Sequence, residues 1–296
     1  MFAKKAMDTT KTPRRYARIL LDYWFKRAFG IEGRQRLLTL FLQELIPERR
    51  IVSLSYAPQE HINPLPDNKG VRVDVECTDE DGTRFVVEMQ LSEQEFFYER
   101  AVFNSTFAIQ EQMISGQSSY DFPSVYFIGV MDFSIHKGTD QVLYRYQFRE
   151  RDSFELMTDR IQYLFLELTN ARHALEPDAT ILEKFCYALH NMENLQGMPE
   201  GFEGELFQLL FESAEIATFT PKEKFKYEFD MTTERDIKNQ IAFAEKKGIE
   251  KGMEKGREEG IQEGIQEERQ RILEALRSQG VPEDILAKAI LRPEGQ

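Results

Sequence analysis

Three polar side chains on a predicted hairpin have the types and the spacing of a metal site. Its arms, residues 71–77 and 84–91, are rich in β-branched and aromatic residues, and a turn cluster separates them. The turn places Asp74 directly opposite Glu88. Because side chains alternate between the faces of a strand, Gln90 shares a face with Glu88.

Two interpretations of the facing acids are open. Carboxylates on facing positions, about 5 Å apart at Cβ, repel one another unless a cation lies between them. A divalent metal among hard oxygen ligands is the simplest reason for this arrangement. The alternative is a half-exposed hairpin whose acids lie on a solvated sheet face. The turn itself is predicted as Glu80, Asp81 and Gly82, with Gly82 in the left-handed conformation.

The elements that must position these residues follow from hydrophobic periodicity. Helices are predicted over residues 13–29, 34–46 and 178–245. Ser92 and Glu95 form a predicted capping box that opens a further helix, closed near Gly116. Besides the hairpin, strands are predicted over residues 51–56, 124–131, 141–148 and 161–168. Together these elements predict an α/β core of about six strands with helices on its faces.

The wider sequence resembles the Rpn family of recombination-promoting nucleases and transposases, within the PD-(D/E)xK nuclease superfamily. The resemblance is strongest over residues 15–135. Where the superfamily has an E-x-K triplet, this chain has Glu88, Met89 and Gln90. The other residues that carry the resemblance lie at residues 22–30 and 40–45 and at Asp74, Arg100, Gln112, Gly116, Tyr120 and Pro123.

The resemblance implies a restriction-endonuclease-like core, with a mixed β-sheet flanked by helices and a helical C-terminal extension. It also implies a Mg²⁺-dependent DNA endonuclease that promotes recombination or acts in a mobile-element or phage-defence context. Asp74, Glu88 and the backbone carbonyl of Met89 would hold Mg²⁺, for which Mn²⁺ can substitute. Gln90 would hydrogen-bond the attacking water, but it has neither the charge nor the basicity of lysine. The second hypothesis is a noncatalytic interaction protein on a nuclease-derived scaffold.

Further roles are expected around this triplet. Asp22 either completes the metal site, as the superfamily's first helix sometimes does, or caps its helix or pairs with Lys26 at i+4. Arg100 either contacts a DNA phosphate or pairs with a glutamate on its own helix. Lys69 and Lys26 are expected to contact DNA. A homodimer is expected, because cleavage of both DNA strands requires two active sites.

Charge and composition limit the class of protein. The net charge is −13, but residues 1–50 contain 12 basic and 5 acidic residues. This basic segment either contacts phosphates or forms a solvated helix face beside a disordered start. Six of its cations are the candidates for phosphate contact: Lys11, Arg14, Arg15, Arg18, Lys26 and Arg27. The sequence contains neither an apolar run of about 18 residues nor an apolar signal region, so we expect a cytoplasmic protein without a membrane span.

The predicted organisation has four parts. Residues 1–12 are a disordered basic start, 13–175 the nuclease-like core, 176–245 a helical region, and 246–296 a repetitive tail. Glycine recurs every fourth residue from Gly248 to Gly264. Each costs a helix about 1 kcal/mol relative to alanine. The tail is either a flexible charged linker, which we favour, or a row along which helices approach closely in an assembly. Within 246–296, a small helical hairpin for dimerisation or docking is predicted after the glycine repeat.

Overall fold

The strands form where apolar and β-branched residues lie between turn residues. The computed structural model describes residues 13–58, 60–61, 71–113, 120–282 and 285–286. Within those ranges the strands are β1 (Leu54–Tyr56), β2 (Glu60–His61), β3 (Val71–Arg72), β4 (Val75–Asp79), β5 (Arg84–Gln90), β6 (Val125–Met131), β7 (Leu143–Arg149) and β8 (Leu156–Glu167).

In the described part of the chain, six of these strands form one mixed sheet. Their order is β1-β4-β5-β6-β8-β7, and β2 pairs separately with β3. β6 is parallel to β5 on one side and to β8 on the other, whereas the outer pairs are antiparallel. Every residue of β6 is buried, as its unbroken apolar sequence predicts for a central strand. The predicted α/β class with a mixed sheet is therefore confirmed.

Helices cover both faces of the sheet. Within the described ranges they are α1 (Asp22–Phe29), α2 (Gln35–Leu45), α3 (Phe97–Gln110), α4 (Ile181–Asn191), α5 (Glu205–Ala214) and α6 (Pro221–Ser278). α1, α2, α4 and α5 share one large apolar cluster with the sheet, to which they contribute Phe25, Phe41, Phe185 and Phe207. α3 packs on the opposite face through a second cluster that includes Phe97.

The first helix is shorter than its apolar periodicity predicts. It begins at Asp22 instead of near residue 13. The preceding segment instead pairs with the end of α5, because the Ala17 N–H donates to the Ala214 carbonyl at 2.8 Å. The Ile216 N–H likewise donates to the Arg15 carbonyl at 3.0 Å. These tertiary hydrogen bonds replace the helical ones, and periodicity within one segment cannot reveal them.

The predicted capping box before α3 is wrong. The helix begins at Phe97, and Phe96 precedes it in a left-handed conformation with φ of 60°. Burial explains the start of the helix, because Phe97 lies against Phe165 while Phe96 remains 62% exposed. The predicted end of the helix at Gly116 lies outside the described residues, whereas α3 itself ends at Gln110.

The chain divides into two compact units, Met1–Phe225 and Lys226–Gln296. α6 runs unbroken through the glycine repeat, so the expected flexible linker is wrong. Ion pairs at i,i+4, such as Lys255–Glu259 at 3.5 Å, offset part of the cost of the glycines. A Cβ placed on any repeat glycine would meet no described atom within 4 Å.

Several expectations fall outside the described ranges. They concern residues 1–12, the position of Lys69, and most of the second arm of the predicted helical hairpin, which follows Gly280 and includes Ala289 and Ile290. Among the helices that are described, none combines the length and the apolar sequence required to cross a membrane.

One glycine sets how closely α3 approaches the sheet. Gly129 lies on β6 directly beside Glu88 of β5. A Cβ on Gly129 would lie 2.7 Å from Cδ1 of Phe165 and 3.2 Å from Cζ of Phe97. The missing side chain therefore leaves room for the first residue of α3.

We predict that Gly129→Ala destabilises the protein by about 1–3 kcal/mol, because the added methyl group overpacks the core. Denaturant unfolding measures this loss. Gly197→Ala is the control, since a Cβ there meets no described atom within 4 Å. Equal stabilities of the two variants would contradict the role assigned to Gly129.

Candidate functional site

The hairpin turn has the predicted geometry. Gly82 is left-handed with φ of +82°. The Asp79 N–H donates to the Thr83 carbonyl at 3.0 Å, which closes the loop between them. β4 and β5 then pair with Val75 opposite Val87. The predicted register is thus confirmed for residues 75–78, and the same register extended by one residue would set Asp74 opposite Glu88.

Asp74 lies at a break in the first arm, which was predicted as one continuous strand. β3 ends at Arg72 and β4 begins at Val75. The Met89 N–H donates to Oδ2 of Asp74 at 2.8 Å, so this side chain takes the place of a ladder carbonyl. Because the N–H and C=O of a strand residue point to the same side, the Met89 carbonyl faces the same edge as Asp74.

Glu88 is buried beneath α3. Its side chain accepts a hydrogen bond at Oε1 from Nδ2 of Asn104, at 3.2 Å. Burial and then the charge of Asp74 raise the pKa of Glu88 to about 8. Burial likewise raises the pKa of Asp74, although the Met89 N–H and the charge of Lys26 oppose this shift. In the absence of a cation, both carboxyl groups therefore bind a proton more tightly than they would in water.

Lys26 of α1 provides the positive charge nearest to Asp74. Its Nζ lies 3.2 Å from Oδ1 of Asp74 and 2.6 Å from Oδ1 of Asp22. Burial lowers the pKa of Lys26, but hydrogen bonds and charges from Asp22 and Asp74 outweigh this effect and raise it. Asp22 thus pairs with Lys26 at i+4, one of the alternatives that the sequence leaves open. Its side chain is 72% exposed.

The other predicted site residues have different surroundings. Gln90 ends β5 and its carbonyl accepts from the Asp132 N–H at 2.8 Å. Arg100 hydrogen-bonds Gln94 instead of a glutamate of its own helix, and its charge opposes the rise in the pKa of Glu88. Lys69 lies outside the described residues.

In the described part of the basic N-terminal segment, four of the arginines pair with acids. The pairs are Arg14–Glu193 at 2.8 Å, Arg15–Glu215 at 2.9 Å, Arg18–Asp132 at 2.7 Å and Arg27–Glu223 at 2.7 Å. These carboxylates neutralise much of the local positive charge, and Arg18 and Arg27 are buried. Lys11 lies outside the described residues.

The donors at the hairpin fit a hard divalent cation. Asp74 and Glu88 offer carboxylate oxygens, and Met89 offers a carbonyl on the same edge. Among the described residues, no group of three or more His, Cys, Asp or Glu side chains could hold a metal ion. Mg²⁺ needs fewer protein ligands, because it dehydrates reluctantly and is often bound through one or two carboxylates. A cation here would also offset the burial that raises the pKa values of both acids and the repulsion from Asp74 that raises that of Glu88.

Comparison with known proteins gives one match. A family model described as "PD-(D/E)XK nuclease family transposase" matches residues 19–244. The chain belongs to this family. No significant match was found among curated proteins or among solved structures. Membership in the PD-(D/E)XK family confirms the resemblance found in the sequence, and the mixed sheet fits a restriction-endonuclease-like core.

Family membership also bears on chemistry. It supports a nuclease-like function, with DNA suggested as the substrate. PD-(D/E)XK nucleases generally use divalent metals, which agrees with the donors present at the hairpin.

Sequence reasoning missed Asn104, the partner of Glu88. A signal for it is present, since residue 104 belongs to the stripe of α3 that contains the buried residues Phe97, Ala101 and Ala108. A polar residue on an apolar stripe indicates a polar partner inside the fold. The contact between Lys26 and Asp74 had no comparable signal, because it joins α1 to a hairpin far away in sequence.

We predict that the metal-free protein loses stability as the pH rises from about 5 to about 8. The folded state holds the Glu88 proton more tightly than the unfolded state, because its pKa of about 8 lies above the usual 4.5. Stability from this group is complete below pH 4.5 and is lost as the pH passes through 8. Denaturant unfolding across this range should show a loss on the order of a few kcal/mol at most.

Glu88→Gln is the matched control, because glutamine keeps an acceptor for Asn104 but carries no titrating carboxyl. Its stability should vary less over the same pH range. Equal pH dependence in the two proteins would show that Glu88 does not bind the proton in the folded state.

Proposed function

We propose that this protein is a divalent-metal-dependent endodeoxyribonuclease with its active site at the hairpin. The observation that carries the proposal is a pair of neighbouring carboxyl groups, the buried Glu88 and the partly buried Asp74, which the hairpin register, extended by one residue, sets opposite each other in a PD-(D/E)XK chain. Mg²⁺ is the expected ion, and Mn²⁺ is expected to replace it.

Each residue has a distinct task in this proposal. Asp74, Glu88 and the Met89 carbonyl would hold the cation, and the Met89 N–H fixes the orientation of Asp74. Asn104 orients Glu88 through its amide. When bound, the cation would supply an activated water molecule and offset charge on the phosphate. Gln90 would hydrogen-bond that water, but as a neutral amide it cannot take its proton at neutral pH.

The substrate and the setting are further parts of the proposal. DNA is the proposed substrate, with recombination, mobile-element movement or phage defence as the biological setting and the cytoplasm as the location. Arg100 carries a charge beside Glu88 and is our candidate for phosphate contact. Lys69 is a second candidate from the sequence, and a direct role for Asp22 on the metal is retained as a proposal.

A homodimer follows from the chemistry, since one active site cuts one strand at a time. The glycine-containing helix α6 and the segment after it are the proposed assembly element. Analytical ultracentrifugation of the full chain tests this idea, and a monomer at all working concentrations would remove it.

One observation favours a noncatalytic interaction protein. Asp74 already pairs with Lys26, and Glu88 already accepts from Asn104, so each acid has a partner without a metal. The two functions differ in a simple respect: only the nuclease requires a metal and both acids for an activity on DNA.

We predict that the purified protein nicks or linearises supercoiled plasmid with Mg²⁺ or Mn²⁺ and not with EDTA. Asp74→Asn and Glu88→Gln should each lower the cleavage rate by more than the roughly 10- to 100-fold that is typical when a residue contacting a metal ligand, but not the metal, is replaced. Both substitutions preserve side-chain shape and a hydrogen-bond acceptor. Gel analysis of the plasmid forms over time measures the rates.

Asp81→Asn is the control, because Asp81 belongs to the turn of the same hairpin and its side chain is 74% exposed. It should cleave like the wild type. A folded wild type that is inert with every metal and DNA form would contradict the nuclease proposal and favour the interaction protein.

A further inference from the structure

None of the three residues Asp74, Glu88 and Gln90 carries a positive charge that could stabilise a phosphate. Asp74 and Glu88 are acids and Gln90 is neutral, so the triplet contains no cation to face a negatively charged phosphodiester. Arg100 acts on the charge of Glu88, but its side chain hydrogen-bonds Gln94. Lys26 lies closer to the chemistry, because its ammonium directly contacts a carboxylate of the pair at 3.2 Å.

The position of Lys26 is fixed by its helix. Phe25 is 1% exposed and packs into the main apolar cluster. Arg27 is held by Glu223 at 2.7 Å and by the Ser213 carbonyl at 2.9 Å. These neighbours anchor α1 on both sides of Lys26 in sequence. Asp22, one turn earlier, holds the ammonium from its solvent side at 2.6 Å.

Exposure also suits a group that meets a substrate. The side chain of Lys26 is 22% exposed and that of Asp74 is 13% exposed, so the contact lies at the mouth of the site. The Asp22 carboxylate is 72% exposed and can turn into solvent when a negatively charged substrate approaches. Lys26 can then exchange one anionic partner for another without leaving the site.

We propose that Lys26 is the catalytic cation of the site and contacts a non-bridging oxygen of the scissile phosphate. This proposal rests on the proposed nuclease function. In the reaction, a P–O bond forms to the water oxygen and the P–O bond to the leaving oxygen breaks. Water releases one proton to solvent, and the leaving oxygen takes up one proton. The ammonium keeps its protons throughout and stabilises the negative charge that develops on the phosphate.

A purely structural role makes different predictions from this one. If Lys26 only holds Asp74 in place, its loss should misplace a metal ligand and weaken metal binding and cleavage together. If it is the catalytic cation, it competes with the metal for Asp74 in the free protein. Its loss should then tighten metal binding while cleavage falls.

The test uses Lys26→Gln, Gln90→Lys and the double variant in the full chain. We expect Lys26→Gln to lower the plasmid cleavage rate about 100-fold, as for loss of one group that stabilises transition-state charge. Calorimetry should show Mn²⁺ binding that is tighter by roughly fivefold, because a like charge about 3 Å from the ligand is gone. Gln90 shares a face with Glu88, so a lysine there can supply the missing positive charge. The double variant should therefore cleave at least about tenfold faster than Lys26→Gln alone.

Arg172→Gln is the control, since it also removes the cation of an ion pair, 3.3 Å from Asp140, at a position with no assigned role. It should change neither readout. If the wild type is active and Lys26→Gln is equally active, the proposal for Lys26 is overturned and the nuclease proposal stands. The same holds if Lys26→Gln binds Mn²⁺ more weakly than the wild type and Gln90→Lys does not rescue its cleavage. A folded wild type that cleaves no DNA overturns the nuclease proposal, and the role of Lys26 with it.

Discussion

The structure depends on two carboxyl groups placed close together, Glu88 buried and Asp74 partly buried. Burial raises the pKa values of both, and the charge of Asp74 raises that of Glu88 further. A folded protein accepts such a pair only when other groups compensate for the loss of solvation. Here the compensation comes from the charges of Arg100 and Lys26, from Asn104 and from the Met89 N–H. A bound divalent cation would complete it.

The surrounding fold serves to bring these groups together. The parallel pair β5–β6 places Glu88 beside Gly129. The space at Gly129 admits Phe97, and the helix that starts there carries Asn104 to Glu88. On the other side, the apolar cluster holds α1 so that Lys26 meets Asp74. Asn104 and Lys26 thus each belong to a helix that is packed against the sheet through buried apolar residues.

The sequence predicts the parts of the site that depend on local rules. Alternation and turn chemistry place Asp74 opposite Glu88, and Gly82 adopts the expected left-handed conformation. The central strand β6 was likewise evident from its apolar run. What the sequence could not predict depends on tertiary contacts. The start of α1 is set by hydrogen bonds to α5, the start of α3 by the burial of Phe97, and the environment of Lys26 by the approach of α1 to the hairpin.

The central claim is that Asp74 and Glu88 form a cation site, and direct Mn²⁺ binding tests it without any assumption about the substrate. Isothermal titration calorimetry on the wild type, Asp74→Asn and Glu88→Gln is the measurement. The account predicts saturable binding to the wild type and a loss of that binding in both variants, with folding intact. Wild-type affinity in both variants would show that the acid pair is not where the metal binds, and would contradict the account.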